Sequence, residues 1–414
     1  MHMTRRSALL SAAAVALSGC APVGGSQVAS TSEDPALRPA PNPAYDAWIA
    51  AFRSRAIERG IAPATLDAAF RGAGYLPGVV ERDRNQTEFR RSFEDYLAIV
   101  ASEEKVAQGR RAFQRQQSLL AQIEARYGVA ADVVAAIWGV ESNYGVRRGS
   151  IPVISATSTL AFDGRRGRFF EQQLMAALRI LQNGDIDAAR MTGSWAGAMG
   201  HTQFIPTTFE TYGVDFEGDG RRDIWSDDPT DGLASAAAYL SRSGWQRGRP
   251  AAIEVRLPQG FAPSLTGRNT RRSTDAWIGS GVKTATGTTL PDHGSASILI
   301  PSGPAGPAFL VYRNFSVLLR YNNSENYALG VSYLSQRIRG GSGLIAEFPP
   351  DRFGLTIDMR RDLQRRLTAA GYDTGGTDGV IGPKSEAAIR AYQQAAGLPV
   401  NGQPSASLLR RLSS

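Results

Sequence analysis

Cysteine occurs once in this 414-residue chain and histidine three times. A single cysteine, Cys20, excludes an intramolecular disulfide framework. His2, His201 and His293 are too scattered to form a zinc cluster. Basic runs longer than two or three residues are also missing, and arginines are interspersed with acids, so a nucleic-acid footprint is not supported. No long internal repeat is found. What remains is a composition of 42% hydrophobic and 20% charged residues, enough for two or three domains of roughly 100–200 residues each. The formal net charge of +8 favours an acidic partner without choosing among nucleic acid, anionic membrane and anionic polymer.

The place of the one cysteine is informative. Arg5 and Arg6 precede an apolar stretch from Ala8 to Leu17. About ten apolar residues cannot cross the roughly 30 Å hydrocarbon layer, so residues 1–19 read as a secretion signal. Leu17-Ser18-Gly19-Cys20 resembles the lipobox of bacterial lipoproteins. The resemblance implies a diacylated Cys20 at the mature N-terminus, and Ala21 in place of Asp favours the periplasmic face of the outer membrane. Arg5-Arg6 weakly resembles a twin-arginine signal, which leaves the export route open. Residues 20–43, rich in Ser, Pro, Gly and Ala, read as a flexible tether.

Helical periodicity runs from Tyr45 to Gln182, as in Phe93, Tyr96, Leu97 and Val100. Between about 251 and 312 the pattern changes to short β-like runs, Ile253–Leu257, Ile298–Ile300 and Phe309–Tyr312, a small sheet inserted in a helical domain spanning 44–345. A second linker, from Gly340 to Pro350, precedes a tail covering 350–414.

The segment Asp132 to Gly145 predicts a helix with Asp132 as N-cap and Gly145 as C-cap. Val134, Ile137, Trp138 and Glu141 share one face, which puts a carboxyl on the apolar side of the last turn. Desolvation there raises the pKa and keeps a proton available for donation to a glycosidic oxygen. Spacing alone also admits a structural Glu paired with an Arg.

Gly139-Val-Glu-Ser-Asn-Tyr-Gly145, followed by Ser194-Trp-Ala-Gly-Ala-Met-Gly-His-Thr-Gln-Phe-Ile-Pro206, resembles the B-type lytic murein transglycosylases, lysozyme-like enzymes that cleave peptidoglycan. The resemblance implies that Glu141 is the sole catalytic acid and base, with no cofactor for catalysis. It places other cleft residues at Tyr96, Arg165, Arg166, Ser194, Gln203, Phe204, Tyr239, Tyr321, Asn322 and Tyr327. Sugar rings stack on aromatic faces, amides and hydroxyls bond sugar hydroxyls and acetamido groups, and an Arg pair suits lactyl or peptide carboxylates. Taken singly, Tyr96 and Tyr239 could be core, and Arg165-Arg166 a solvated turn. His201 stands where the family often has Tyr, and reads as a conservative change at the cleft rim.

Asp215-Phe-Glu-Gly-Asp-Gly220 places acids at loop positions one, three and five and Gly at six, as in an EF-hand, but Ser226 occupies position twelve. The resemblance implies a longer loop closed by Asp231, with Asp227 and Asp228 as competing closers. The expected contacts are Asp215, Glu217, Asp219, the Arg221 carbonyl and Asp231, holding a structural Ca²⁺ or Na⁺ that Arg221 and Arg222 would weaken. An acidic turn that binds nothing tightly is the other reading.

In the tail, Met359–Tyr372 and Ala388–Leu398 predict two amphipathic helices, completed to a three-helix module by Leu408, Leu409 and Leu412. This closely resembles the peptidoglycan-binding domain of wall hydrolases and implies a role in avidity that leaves the cleft untouched. The expected whole is a mainly helical α+β protein: a lysozyme-like catalytic domain with an inserted β region, then a C-terminal three-helix peptidoglycan-binding domain. Its partners would be peptidoglycan and, through the lipid, the outer membrane, with other wall enzymes as further candidates and no nucleic acid. A two-carboxylate muramidase and a catalytically silent wall-binding lipoprotein are the alternatives. Replacing Cys20 with Ser should abolish acylation, read by metabolic labelling with a fatty acid; unchanged labelling would refute the lipobox.

Overall fold

The computed structural model describes residues 34–85 and 91–413. Cys20, the signal and the first part of the tether lie outside them. The chain is mainly helical, and its helices begin where the sequence punctuates them. Proline opens Pro43–Glu58, Pro63–Phe70, Pro77–Arg84, Pro206–Tyr212 and Pro383–Ala395, where its missing N–H costs nothing. Ser92, Ser102 and Ser324 cap Phe93–Val100, Glu103–Arg115 and Glu325–Ile338 through their side chains.

One helix is the axis of the domain. Every residue of Ala131–Ser142 is buried except Glu141, and it packs against Glu103–Arg115, Gln117–Tyr127, Thr230–Arg242 and Glu325–Ile338. Being apolar all round, it has no single core face; Glu141 sits at its one opening. The expected caps are corrected. Asp132 lies inside the first turn, buried, accepting from the Ser335 hydroxyl at 2.6 Å. The Glu124 carboxylate instead accepts from the Ala131 amide at 2.9 Å. The helix ends at Asn143, not Gly145, and Asn143 and Tyr144 both take left-handed backbone, at φ 52° and 57°. Two such non-glycine residues are unfavourable locally and must be held by tertiary contacts. The Lys105 ammonium supplies one, donating to Asn143 Oδ1 at 2.6 Å and to the Gly139 carbonyl at 3.1 Å. Tyr144 folds back over the helix, where a Cβ on Gly139 would lie 2.5 Å from its ring, so only glycine fits.

The inserted sheet has four antiparallel strands in the order Lys283–Thr284, Ala252–Arg256, Ala308–Val311, Ser297–Leu299. Leu299, Phe309 and Val311 enter the main core, while Ile298, Ala308 and Leu310 enter a second core around Trp277. Alternation thus buries both faces. The short strand Lys283–Thr284, and a two-residue pair joining Ile151–Pro152 to Thr192–Gly193, carry no sequence signal of their own.

Both expected linkers are shorter than their composition suggests. Residues 35–37 form a 3₁₀ turn, Ala40 bridges Tyr75, and Asp34 pairs with Arg82 at 2.7 Å, so the last ten residues of the tether lie on the body. In the second, the amides of Ile345 and Ala346 donate to the Glu254 carboxylate at 3.0 and 2.8 Å. The tail folds as expected, with Ile357–Ala369, Pro383–Ala395 and Ala406–Arg411 around Leu363, Leu367, Ile389 and Leu408.

Candidate active site

Glu141 is reached from the Glu325–Ile338 helix, whose Tyr327 hydroxyl donates to Oε1 at 2.7 Å. Burial drives the Glu141 pKa up to about 7, and this hydrogen bond offsets part of the rise. Near neutral pH the carboxyl therefore exists in both protonation states. The Tyr96, Tyr321 and Tyr327 phenols, raised by burial and then by the Glu141 charge, stay protonated.

The predicted aromatic residues do gather, but not all as open faces. Tyr321 stacks on Tyr327 with centroids 6.3 Å apart and donates to the Thr202 carbonyl at 2.6 Å. Tyr239 lies 5.1 Å from Tyr321 and Phe204 5.8 Å from it, and Tyr212, which the sequence did not flag, packs 4.5 Å from Tyr239. Phe204, Tyr321 and Tyr327 are buried and form the wall beneath the site. Tyr96 and Tyr239 alone among the five predicted rings keep partly exposed faces.

Polar candidates divide similarly. Gln203, held at φ 52°, donates its amide to the carbonyls of Arg148 and Gly200 at 3.0 and 2.9 Å, which leaves Oε1 as its acceptor. Ser194 Oγ accepts from the Ala198 amide at 3.0 Å and shapes the turn before Gln203. Asn322 is buried beside Tyr321. Arg165 Nε and one terminal nitrogen of Arg166 each bond Asp83 at 2.5 Å, which fixes where the two guanidiniums stand. Burial tends to raise the Asp83 pKa, but the two guanidiniums outweigh it and hold the carboxyl below its ordinary value.

His201 is a correction. It is 1% exposed, not at a rim. Its Nδ1 accepts from the Trp138 indole at 3.0 Å and its Nε2 meets the Ser226 carbonyl at 2.9 Å. That arrangement needs a neutral ring with the proton on Nε2, and burial lowers its pKa accordingly. His201 thereby ties the Glu141 helix to the end of the Asp215 loop.

In that loop Asp215 accepts from the amides of Gly218, Asp219 and Gly220, at 2.6, 3.2 and 2.8 Å, and Asp219 accepts from Arg221 at 2.9 Å. Asp231 faces the loop from the Thr230–Arg242 helix, accepting from Phe216 and Asp223 at 2.8 Å each. Asp227 pairs with Arg148 at 2.5 Å and Asp228 caps Thr230. Arg222 is drawn off to Asp185 at 2.6 Å. Burial, with the nearby Asp215 and Glu217 charges, pushes Asp231 up to about 6. The donor chemistry suits a hard cation. Among the described residues, however, no three acids or histidines converge on one centre, because the carboxylates are turned onto backbone amides.

None of the groups that shift Glu141 is a second carboxylate among the described residues. Asp132 lies nine residues back, roughly 14 Å along the helix axis, beyond the spacing of a two-carboxylate glycosidase. A lone carboxyl with a raised pKa, beside rings that can receive a sugar, places the chain among lysozyme-like carbohydrate-cleaving enzymes. Comparison with known proteins narrows the class. Residues 44–336 match the family described as Transglycosylase SLT domain, and the chain belongs to that family. Residues 357–412 match a peptidoglycan binding domain family. The chain is 34% identical over 215 residues to membrane-bound lytic murein transglycosylase B of Escherichia coli K12, an alignment covering 51% of this chain and 58% of that protein. It resembles the structure of SltB3 from Pseudomonas aeruginosa in complex with NAG-NAM-pentapeptide, with 48% identity, TM-score 0.73, and coverage of 90% of this chain and 100% of that one. The SltB3 complex with NAG-anhNAM-pentapeptide matches at 47% identity over the same shares, again with TM-score 0.73. Escherichia coli Slt35 in complex with calcium matches at 26% identity, TM-score 0.61, over 74% of this chain and 97% of that one.

Because the folded-state pKa of Glu141 is about 7 against an ordinary 4.5, the folded protein holds a proton between those values that the unfolded chain has released. The associated stability is full below about pH 4.5 and is lost as pH rises through 7. Above that, the parent carries a desolvated anion costing on the order of 3 kcal/mol, which Glu141→Gln does not. The variant should melt a few degrees higher than the parent at pH 8, and close to it at pH 4.5; equal melting at both values would contradict the raised pKa.

Proposed function

We propose that this protein is a lytic transglycosylase that cuts the bond between N-acetylmuramic acid and N-acetylglucosamine in peptidoglycan, leaving 1,6-anhydro ends, in the course of wall turnover. The observation that carries this reading is the single Glu141 carboxyl, poised near pH 7 with one oxygen held by Tyr327. The other oxygen gives its proton to the bridging oxygen as the C1–O bond breaks. With no second carboxylate acting on the site, the 2-acetamido oxygen of the same sugar closes onto C1 and carries the positive charge as an oxazolinium ion. Glu141, now an anion, takes the proton of the C6 hydroxyl, and that oxygen displaces the acetamido oxygen at C1. The carboxyl is regenerated and water is not consumed. Family membership and the likeness to SltB3, solved with NAG-anhNAM-pentapeptide, support the anhydro product.

Tyr96 and Tyr239 offer the faces on which sugar rings can lie. Gln203 Oε1 and Asn322 are the candidates for the acetamido group and ring hydroxyls. Tyr327 orients the acid. The three-helix tail would hold the wall, and the signal with Cys20 would place the enzyme at the periplasmic face of the outer membrane. Asp215, Glu217, Asp219, Asp231 and the Arg221 carbonyl would hold one Ca²⁺ or Na⁺ once the loop carboxylates turn from the amides. The crowded charge on Asp231 supports this, as does the likeness to Slt35 with calcium. The ion's place would be structural, since the loop meets the Glu141 helix through His201 and Trp138 and its carboxylates bond backbone amides rather than Glu141.

Muropeptides released from purified sacculi should be lighter by one water than lysozyme products, and Glu141→Gln should lower the rate by about 10²–10⁴-fold or more. Reducing muramic ends, or an active Gln variant, would overturn the mechanism. Calcium should raise the melting temperature, by an amount equivalent to about 2.7 kcal/mol at one hundred times Kd. No shift with calcium or sodium, or loss of turnover on chelation without loss of fold, would refute the structural ion.

A further inference from the structure

The Phe93–Val100 helix turns two carboxylates away from the cleft, and they meet a cation from the other domain. Arg360, in the first turn of Ile357–Ala369, pairs with Glu94 and, at 2.9 Å, with Asp95. Asp351, in the connecting segment, lies 3.6 Å from the same guanidinium. Arg360 is 4% exposed and its Nε has no partner, so these carboxylates are what holds the charge where little water reaches.

Glu94 and Asp95 adjoin Tyr96. Tyr96 packs on the Glu325–Ile338 helix, where a Cβ on Gly330 would lie 2.7 Å from its ring, and its phenol feels the Glu141 charge. An eight-residue helix cannot keep its place by its own hydrogen bonds. Its inner side is fixed by Phe93, Leu97 and Val100, and its outer side by Arg360. Phe348 of the connecting segment adds a grip, its ring 6.0 Å from Phe93. Without the guanidinium, two adjacent half-buried carboxylates would repel each other and turn toward water, taking the helix with them.

We propose that Arg360 is a positioning residue for the cleft: through Glu94 and Asp95 the wall-binding domain fixes the helix that sets Tyr96 beside Glu141, and so contributes to the rate of bond cleavage as well as to wall attachment. This goes beyond the avidity role expected of the tail, and it rests on the reading of Glu141 as the acid that cleaves glycan.

The test uses the full chain and four measurements: kcat and KM on short soluble peptidoglycan glycans, sedimentation with sacculi, and melting temperature. Arg360→Met should lower kcat about 5- to 100-fold, the scale of a small misplacement at a reacting centre, with KM raised as the Tyr96 face is displaced and sedimentation near the parent's. Arg360→Lys should fall between, since an ammonium cannot bridge both carboxylates as a guanidinium does. If Arg360→Met melts early, Glu94→Gln with Asp95→Asn keeps the shapes, removes the same pair from the other side and should show the same kcat loss. A folded variant of either kind with the parent's kcat, or one that loses only sedimentation, overturns the proposal. A parent chain inactive on every glycan would instead overturn the reading on which it rests.

Discussion

The site depends on keeping water away from one carboxyl. A glutamate at a helix end in solvent would be ionised at neutral pH and could donate nothing. Here the helix that carries it is buried along its whole length except at Glu141 itself, and the carboxyl is raised to about 7 by that burial. Most of the domain can be understood as the packing needed to bury one helix on all sides. Four helices surround it, and Gly139 and Gly109 are bare because the Tyr144 ring and hydroxyl need their space. The cost is a carboxylate that destabilises the fold whenever it is charged.

Around that helix, three contacts transmit order from elsewhere. Lys105 fastens its last turn, His201 joins its Trp138 to the acidic loop, and Tyr327 selects which carboxyl oxygen is held. Each is a hydrogen bond in a place poor in water, where losing one partner leaves the other unsatisfied. The arginine pair at 165 and 166 belongs to the same logic: it neutralises the buried Asp83.

The residues that sequence made legible were those whose meaning is local. The inserted strands follow from β-branched and aromatic runs, the tail helices from their apolar period, and the Glu141 helix from an unbroken apolar stretch. The aromatic cluster was legible only through the paired motifs around Glu141 and Gln203, since Tyr321 and Tyr327 lie far along the chain from either. What stayed hidden was decided by contacts between distant segments. Nothing near Asp132 announces that Glu124 will cap the helix in its place. His201 read as a change at the cleft rim because it stands where the resembled family often has Tyr, whereas its neighbours in space are an indole and a carbonyl. Lys105 and Arg360 stand in ordinary charged helical stretches, and only their burial against specific partners sets them apart. The tether and linker misled for the same reason: Gly, Ser and Pro mark a backbone without regular structure, yet such a backbone can still lie fixed on a core.

The hydrogen bond between Tyr327 and Glu141 joins residues 186 positions apart, and the Arg360–Glu94 pair spans 266. Contacts of such long sequence separation require a long loop to close before they return any stabilisation. A chain without residue 327 would lack the phenol that holds one oxygen of the Glu141 carboxyl. The Glu141 carboxyl meets its Tyr327 partner only once the chain as far as residue 327 has folded back on its middle, so the chemistry of one short helix is set by a segment far from it in sequence.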